Sequence, residues 1–515
     1  MAVKLILLIA FFAVMITVGV LSRKSASSVD GFVLGGRNVG PWLTAFAYGT
    51  SYFSAVVFVG YAGQFGWKYG ISTTWVGIGN AVIGSLLAWV ILGRRTRIMT
   101  HHLKASTMPD FFGKRFNSNA IRIAASAIVF IFLIPYTASL YNGLSRLFGM
   151  SFDIPYAVCV ILMAVLTGVY VILGGYMATA INDFIQGLIM LGGIVAVIAG
   201  VLSSKGGFLN AIQELAKLES DIPVTQGMPG AFVSFFGPDP LNLLGVIILT
   251  SLGTWGLPQM VHKFYAIKNE HAVKTGTIIS TFFAIVVAGG CYFLGGFGRL
   301  FDSEAIYGAN GAVAYDAIIP AMLSTLPDVL IGVVVILVLS ASMSTLSSLV
   351  LTSSSTLTID FIKGNIAKQM DEKKQLLVMR VLIVFFIAIS VILALDPPTF
   401  IAQLMGISWG ALAGAFLAPF MYGLFWKRTS RASVWASFAA GVGITVLNMF
   451  FKFIKSPINA GAAAMLAGLV IVPVVSLIIP EKDEKRMDKI FACYDQTVEV
   501  KRKVALSEED DKQEY

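Results

Sequence analysis

Asp183 is an acidic side chain set inside a long apolar stretch, in the segment Gly174-Gly175-Tyr176-Met177-Ala178-Thr179-Ala180-Ile181-Asn182-Asp183-Phe184-Ile185-Gln186. A carboxylate in hydrocarbon is expensive and marks a polar site or a partner. It falls about six residues into a helix that begins near Met177, roughly 9 Å along the axis at 1.5 Å per residue. No Lys or Arg stands at a comparable depth in the apolar runs. The expected compensation is therefore a bound cation or a proton, with hydrogen bonding to hydroxyls as the alternative. Oxygens for such a cation lie in the run Ser340-Ala341-Ser342-Met343-Ser344-Thr345-Leu346-Ser347-Ser348. There Ala341, Ser344 and Ser348 share one helical face, with Ser347 beside them. Hard cations take oxygen ligands of this kind. Ser and Thr in membrane helices also bond their own backbone or join neighbouring helices, and it is Asp183 that favours the cation.

A second signal is interruption. The apolar run 41–65 contains Gly49-Thr50-Ser51-Tyr52-Phe53-Ser54, and the run 241–262 contains Thr250-Ser251-Leu252-Gly253-Thr254-Trp255-Gly256-Leu257-Pro258. Both read as places where the helix unwinds. An unwound turn exposes carbonyl oxygens to ions and amide ends to anionic groups, and transporters place such breaks at matching positions of inverted repeats.

The elements that position these residues follow from composition. Of 515 residues, 57% are hydrophobic and 13% charged, and the mean hydropathy is +0.81. Soluble domains carry about 25% charged residues, so lipid is the main solvent. Runs long enough to span recur at 3–22, 41–65, 71–93, 121–147, 153–173, 177–201, 241–262, 275–299, 326–354, 376–396, 399–426, 432–453 and 460–480, each near the ~20 residues that a ~30 Å core needs. The expected fold is an all-α polytopic membrane domain over 1–480 with about thirteen transmembrane helices. Inverted repeats of five helices, 41–201 and 241–426, would be flanked by one extra N-terminal and two extra C-terminal helices.

Net charge is +9, but the basic residues cluster in short loops, as topology signals do, and nucleic acid is not indicated. Twenty Lys and Arg fall in one set of alternate loops, Lys263 counted among them, against four to six on the other. That asymmetry puts the N-terminus outside and the C-terminus in the cytoplasm. The segment 202–240, with an amphipathic piece at Phe208 to Leu218, reads as an outer connector or lid. Residues 481–515 read as a charged cytosolic tail, part helical and part disordered, ending in Glu508, Glu509, Asp510 and Asp511. Three scattered Cys and no Cys/His cluster of ligand spacing point away from disulfides and zinc.

Taken together, these stretches resemble the sodium:solute symporter family, whose fold is like that of the leucine transporter. The resemblance runs through about residue 430. It is carried by Phe32-Val33-Leu34-Gly35-Gly36-Arg37, by Thr107-Met108-Pro109-Asp110-Phe111 with Lys114-Arg115-Phe116, by the Asp183 segment, by Met343 to Ser348 with Ser353 to Ser355, and by Phe425-Trp426-Lys427-Arg428. It implies a main sodium site built from backbone oxygens of Thr50, Phe53 and Ala341 and the side chains of Ser344 and Thr345. Some members hold another sodium between the acid and nearby serines, and the matching positions are Asp183, Ser344, Ser347 and Ser348. Substrate would lie between the interrupted helices, near Tyr52, Ser54, Thr250, Thr254 and Trp255, with Gln403, Ser408 and Trp409 from the run 399–426. Proline-carrying members have an acid near the position of Tyr52 and aromatics near Thr250 and Thr254, so proline is not the expected solute.

The expectation is sodium-coupled symport of a small organic solute by alternating access in the cell membrane, with sodium as coupling ion and no cofactor. Monocarboxylates, pantothenate, amino acids and sugars are all compatible, as is a monomer or weak oligomer. Proton coupling in the same fold is the nearest alternative. A channel would need a filter sequence or pore ring. A membrane enzyme using Asp183 with His262 would need a second buried acid.

Overall fold

The computed structural model describes residues 2–152, 155–308, 311–396 and 401–495. Among them the regular structure is helical, with three isolated β-bridges. Among the described residues eleven continuous helical stretches are long and apolar enough to cross a membrane, against the thirteen apolar runs of the sequence. The difference has a geometric source. Val56–His102 and Tyr156–Ser204 run for 47 and 49 residues, about 70 Å each if straight, more than twice the hydrocarbon thickness. Each is divided by a glycine of positive φ, at Gly70 (φ 60) and Gly175 (φ 54). At Gly175 a β-carbon would stand 2.8 Å from the carbonyl oxygen of Phe32. The turn there therefore demands glycine, and it aims the helix that carries Asp183.

The helix Asp328–Thr356 is the axis of the molecule. Every residue from Leu337 to Thr356 is buried, as befits a helix that packs on all sides. It lies against Tyr156–Ser204, Asn119–Phe152, Glu372–Leu395 and Pro41–Tyr52. Its many Ser residues allow close approach where lipid never reaches. Peripheral helices do the opposite: Glu372–Leu395 turns Leu377, Val381, Val384, Phe385 and Ile392 outward, an apolar stripe suited to lipid.

The first helix, Ala2–Leu21, is an integral part of the bundle. Met15 is buried against Tyr156–Ser204, its carbonyl accepting from Asn182 Nδ2 (3.4 Å) and its sulfur from Gln186 Nε2 (3.1 Å).

Both interruptions are present. The helix Pro41–Tyr52 stops at Phe53, whose ψ of 115° is extended, and winding resumes at Val56–Tyr61 in a wide π-type turn. The second helix winds through Pro240–Ile247 and a π-type turn at Ile248–Leu252. It opens at Leu257 (ψ 121°) and restarts at Pro258–Ala266, where Pro258 needs no amide partner.

In the segment 202–240, Phe208–Lys217 is a helix. Arg299 anchors this region, donating to Asp221 Oδ1 (2.6 Å) and lying 3.9 Å from the Phe232 ring. Beyond Pro480 the chain forms a further helix, Glu484–Phe491, docked on the basic loops. The acidic end, with Glu508 to Asp511, lies outside the described residues.

Candidate functional site

Five oxygens converge where the first interrupted helix meets the axial helix. Thr345 Oγ1 lies 3.1 Å from the carbonyl oxygens of Thr50 and Ala341 and 3.4 Å from that of Phe53. Ser344 Oγ lies 3.1 Å from the Thr50 and Ala341 carbonyls. All five residues are fully buried. The extended backbone at Phe53 frees the Thr50 and Phe53 carbonyls from the helical ladder, while adjacent hydroxyls at 344 and 345 reach across to them. Ligands about 2.4 Å from a hard cation of sodium's size, at right angles, stand about 3.4 Å apart. The observed spacings of 3.1–3.4 Å are of that order, so this oxygen set fits a sodium ion without a side-chain charge.

The surroundings of Asp183 overturn one expectation. A basic residue does stand at its depth: Lys263 Nζ is 3.7 Å from Asp183 Oδ2, with the side chains 3% and 0% exposed. Lys263 also donates to Ser348 Oγ (3.0 Å), which in turn lies 2.9 Å from Ser51 Oγ. Neither carboxylate oxygen has a hydrogen-bond partner. The sequence reading placed Lys263 in a loop, because it follows the apolar run ending at His262. The restarted helix instead continues to Ala266 and turns this lysine inward. Of the four residues assigned to a second sodium, Ser348 and Asp183 are joined through an ammonium. Ser344 and Ser347 are engaged elsewhere, Ser347 donating to the Ser344 carbonyl (2.9 Å).

The positions expected to hold substrate divide into two groups. Ser54 caps the restarted helix, its hydroxyl accepting from Val56 N (3.2 Å), and Trp409 packs edge-on against Tyr136 with ring centroids 5.9 Å apart. Trp409 also lies against Gly253 of the second interruption, where a β-carbon would come 3.0 Å from its Cε3. The Trp409 indole and the Tyr136 and Tyr61 hydroxyls are buried polar groups here: Tyr136 is paired with Ser54 and Trp409, and the Tyr61 hydroxyl has no hydrogen-bond partner. Tyr61 and Tyr136 were not foreseen; an aromatic in an apolar run carries no signal that separates packing from binding.

Four of the second group, Thr250, Thr254, Trp255 and Ser408, are committed to structure. Thr250 donates to its own helix at Val246 O (2.9 Å). Thr254 donates to Gly84 O (3.0 Å) and Trp255 Nε1 to Ile83 O (2.9 Å), so both face residues 83–84 instead of the first interruption. Ser408 donates to Phe132 O (2.5 Å). Gln403 lines a cavity of about 610 Å³ beneath the 202–240 segment, with Gln64, Tyr69 and Asn242. That places it some 9 Å along its helix from Trp409. The side chain of Tyr52 lies outside the described residues.

A family model described as the sodium:solute symporter family matches residues 32–441. The chain belongs to this family. The osmoregulated proline transporter OpuE of Bacillus subtilis (strain 168) is 25% identical over 507 residues, covering 96% of this chain and 98% of that protein. The sodium/proline symporter of Escherichia coli (strain K12) is 27% identical over 441 residues, covering 84% and 85%. Among solved structures, a Na⁺-coupled sialic acid symporter in a substrate-bound outward-open state superposes with a TM-score of 0.76 at 18% identity, covering 93% of this chain and 98% of that one. This likeness establishes the shared fold. The symporter is thus an integral membrane secondary transporter that couples sodium movement to that of a small organic solute, and is not an enzyme.

Proposed function

We propose that this symporter carries a small amino-acid-class solute together with sodium bound by Thr50, Phe53, Ala341, Ser344 and Thr345. The observation that carries the reading is the convergence of those five oxygens on the interruption at Phe53. Sodium there joins the first interrupted helix to the axial helix and steadies one orientation of the repeats. Release on the other side lets them rock, with 41–201 and 241–426 moving about the central site. The N-terminus is assigned to the outside and the C-terminus to the cytoplasm of the cell membrane, from the basic-loop asymmetry.

The solute class is supported by the buried hydroxyl and indole groups clustered beside the interruption. Trp409 Nε1, Tyr136 Oη and Tyr61 Oη can hold a carboxylate without an arginine, and Lys263 is engaged by Asp183. The relatives named above are proline transporters, and proline itself is not carried over. Tyr52, Thr250 and Thr254 stand where the family resemblance puts an acid and two aromatics in proline-carrying members.

Thermal-shift screening of the purified protein against amino acids, with sodium and with choline in its place, identifies the solute by sodium-dependent stabilisation. Counterflow in proteoliposomes at fixed pH then tests the ion. Accumulation undiminished by sodium removal would replace the sodium reading with proton coupling.

A further inference from the structure

A buried carboxylate facing hydroxyl oxygens is a cation site by its chemistry, and in this chain the cation is covalently attached. Asp183 is fully buried, and Lys263 Nζ at 3.7 Å is the cation beside it. The same ammonium donates to Ser348, whose oxygen is bridged to Ser51. Four separate elements contribute: the helix after Gly175, the restarted second interrupted helix, the axial helix and the end of the first interrupted helix. Ser348 lies one turn beyond Ser344 on a shared face, and Ser51 directly follows Thr50. The ammonium cluster therefore abuts the five-oxygen sodium site.

We infer that the Lys263 ammonium permanently fills the cation position between Asp183 and Ser348, so that this symporter binds and moves a single sodium ion per cycle. The inference rests on the sodium site proposed above and deepens it by fixing the stoichiometry. An ammonium held by the chain satisfies the carboxylate in every state but cannot dissociate, so it contributes nothing to the driving force. At zero membrane potential, a tenfold sodium gradient sustains at most about a tenfold gradient of a neutral solute with one sodium and about a hundredfold with two, and a membrane potential adds about 2.3 kcal/mol per 100 mV for each sodium moved.

Equilibrium binding of ²²Na⁺ to the purified full chain in lipid nanodiscs tests this without knowledge of the solute. The expected result is one sodium per wild-type chain. Lys263→Ala, which opens the position while leaving Asp183 charged, is expected to bind two. Lys263→Ala combined with Asp183→Asn is expected to return to one, and Lys263→Arg to stay at one. Two sodium ions on the wild type, or one on a Lys263→Ala protein that elutes as a folded monodisperse species, would overturn the inference. Should Lys263→Ala not fold, the wild-type count decides alone. A wild type that binds no sodium overturns the five-oxygen site itself, an outcome distinct from binding two.

Discussion

Thr345 and Ser344 each serve two masters at once, bonding backward to Ala341 within their own helix and across to the opened first helix. Losing either hydroxyl removes one ligand of five but leaves the backbone break intact. Ser344→Ala and Thr345→Ala should therefore each raise the half-activating sodium concentration about tenfold, equivalent to about 1.4 kcal/mol. Sodium titration of uptake in proteoliposomes measures this. Asp183 belongs to a different balance. Removing one partner of a buried ion pair costs about 3–5 kcal/mol because the other charge is stranded, while removing both can be nearly neutral. Asp183→Asn alone should lower the melting temperature more than Asp183→Asn with Lys263→Met. Equal losses in thermal unfolding would mean the two charges are not coupled.

Two interrupted helices and one sharp turn position everything above. The first interruption delivers carbonyls to sodium, and the second restarts at Pro258 so that Lys263 arrives opposite Asp183. The turn at Gly175 sets the direction of the Asp183 helix. Its φ of 54° and ψ of −145° lie in a region open essentially to glycine, and the Phe32 backbone leaves no room for a methyl group. Gly175→Ala should destabilise the protein by about 1–3 kcal/mol from backbone strain alone. The check is a fall in the melting temperature of the purified protein, since the helix that bears Asp183 must shift away from the Phe32 backbone.

The docked C-terminal segment ties the basic face together. Arg115, itself buried, donates to the carbonyls of Gly423 (2.9 Å) and Trp426 (3.1 Å) and to the sulfur of Met487 (2.8 Å). Arg95 lies 4.3 Å from the Phe425 ring and 4.6 Å from that of Tyr494, and Arg486 donates to the Arg115 carbonyl (2.9 Å). Ending the chain after Pro480 strips partners from two arginines far from the ion site. The expected outcome is a lower melting temperature with the sodium count per chain unchanged, read by thermal unfolding and ²²Na⁺ binding. A changed count would mean that the tail reaches the transport site.

Much of this was legible in the residues themselves. Apolar runs of spanning length, the hydroxyl face of the helix through Ser344 and Ser348, and glycine-rich interruptions near Thr50 and Gly253 are local patterns. Local patterns survive in one dimension because backbone hydrogen bonding in lipid leaves helices little choice. The five-oxygen set followed once those patterns resembled a known family. What the sequence could not decide was which charge meets which. Lys263 sits at a run's end, where position along the chain cannot tell a loop lysine from one turned inward, and only packing brought it to Asp183. The same holds for Thr254, Trp255 and Ser408. A hydroxyl or an indole serves a backbone carbonyl as readily as a substrate, and the neighbour that claims it is set by how helices distant in sequence come to lie together.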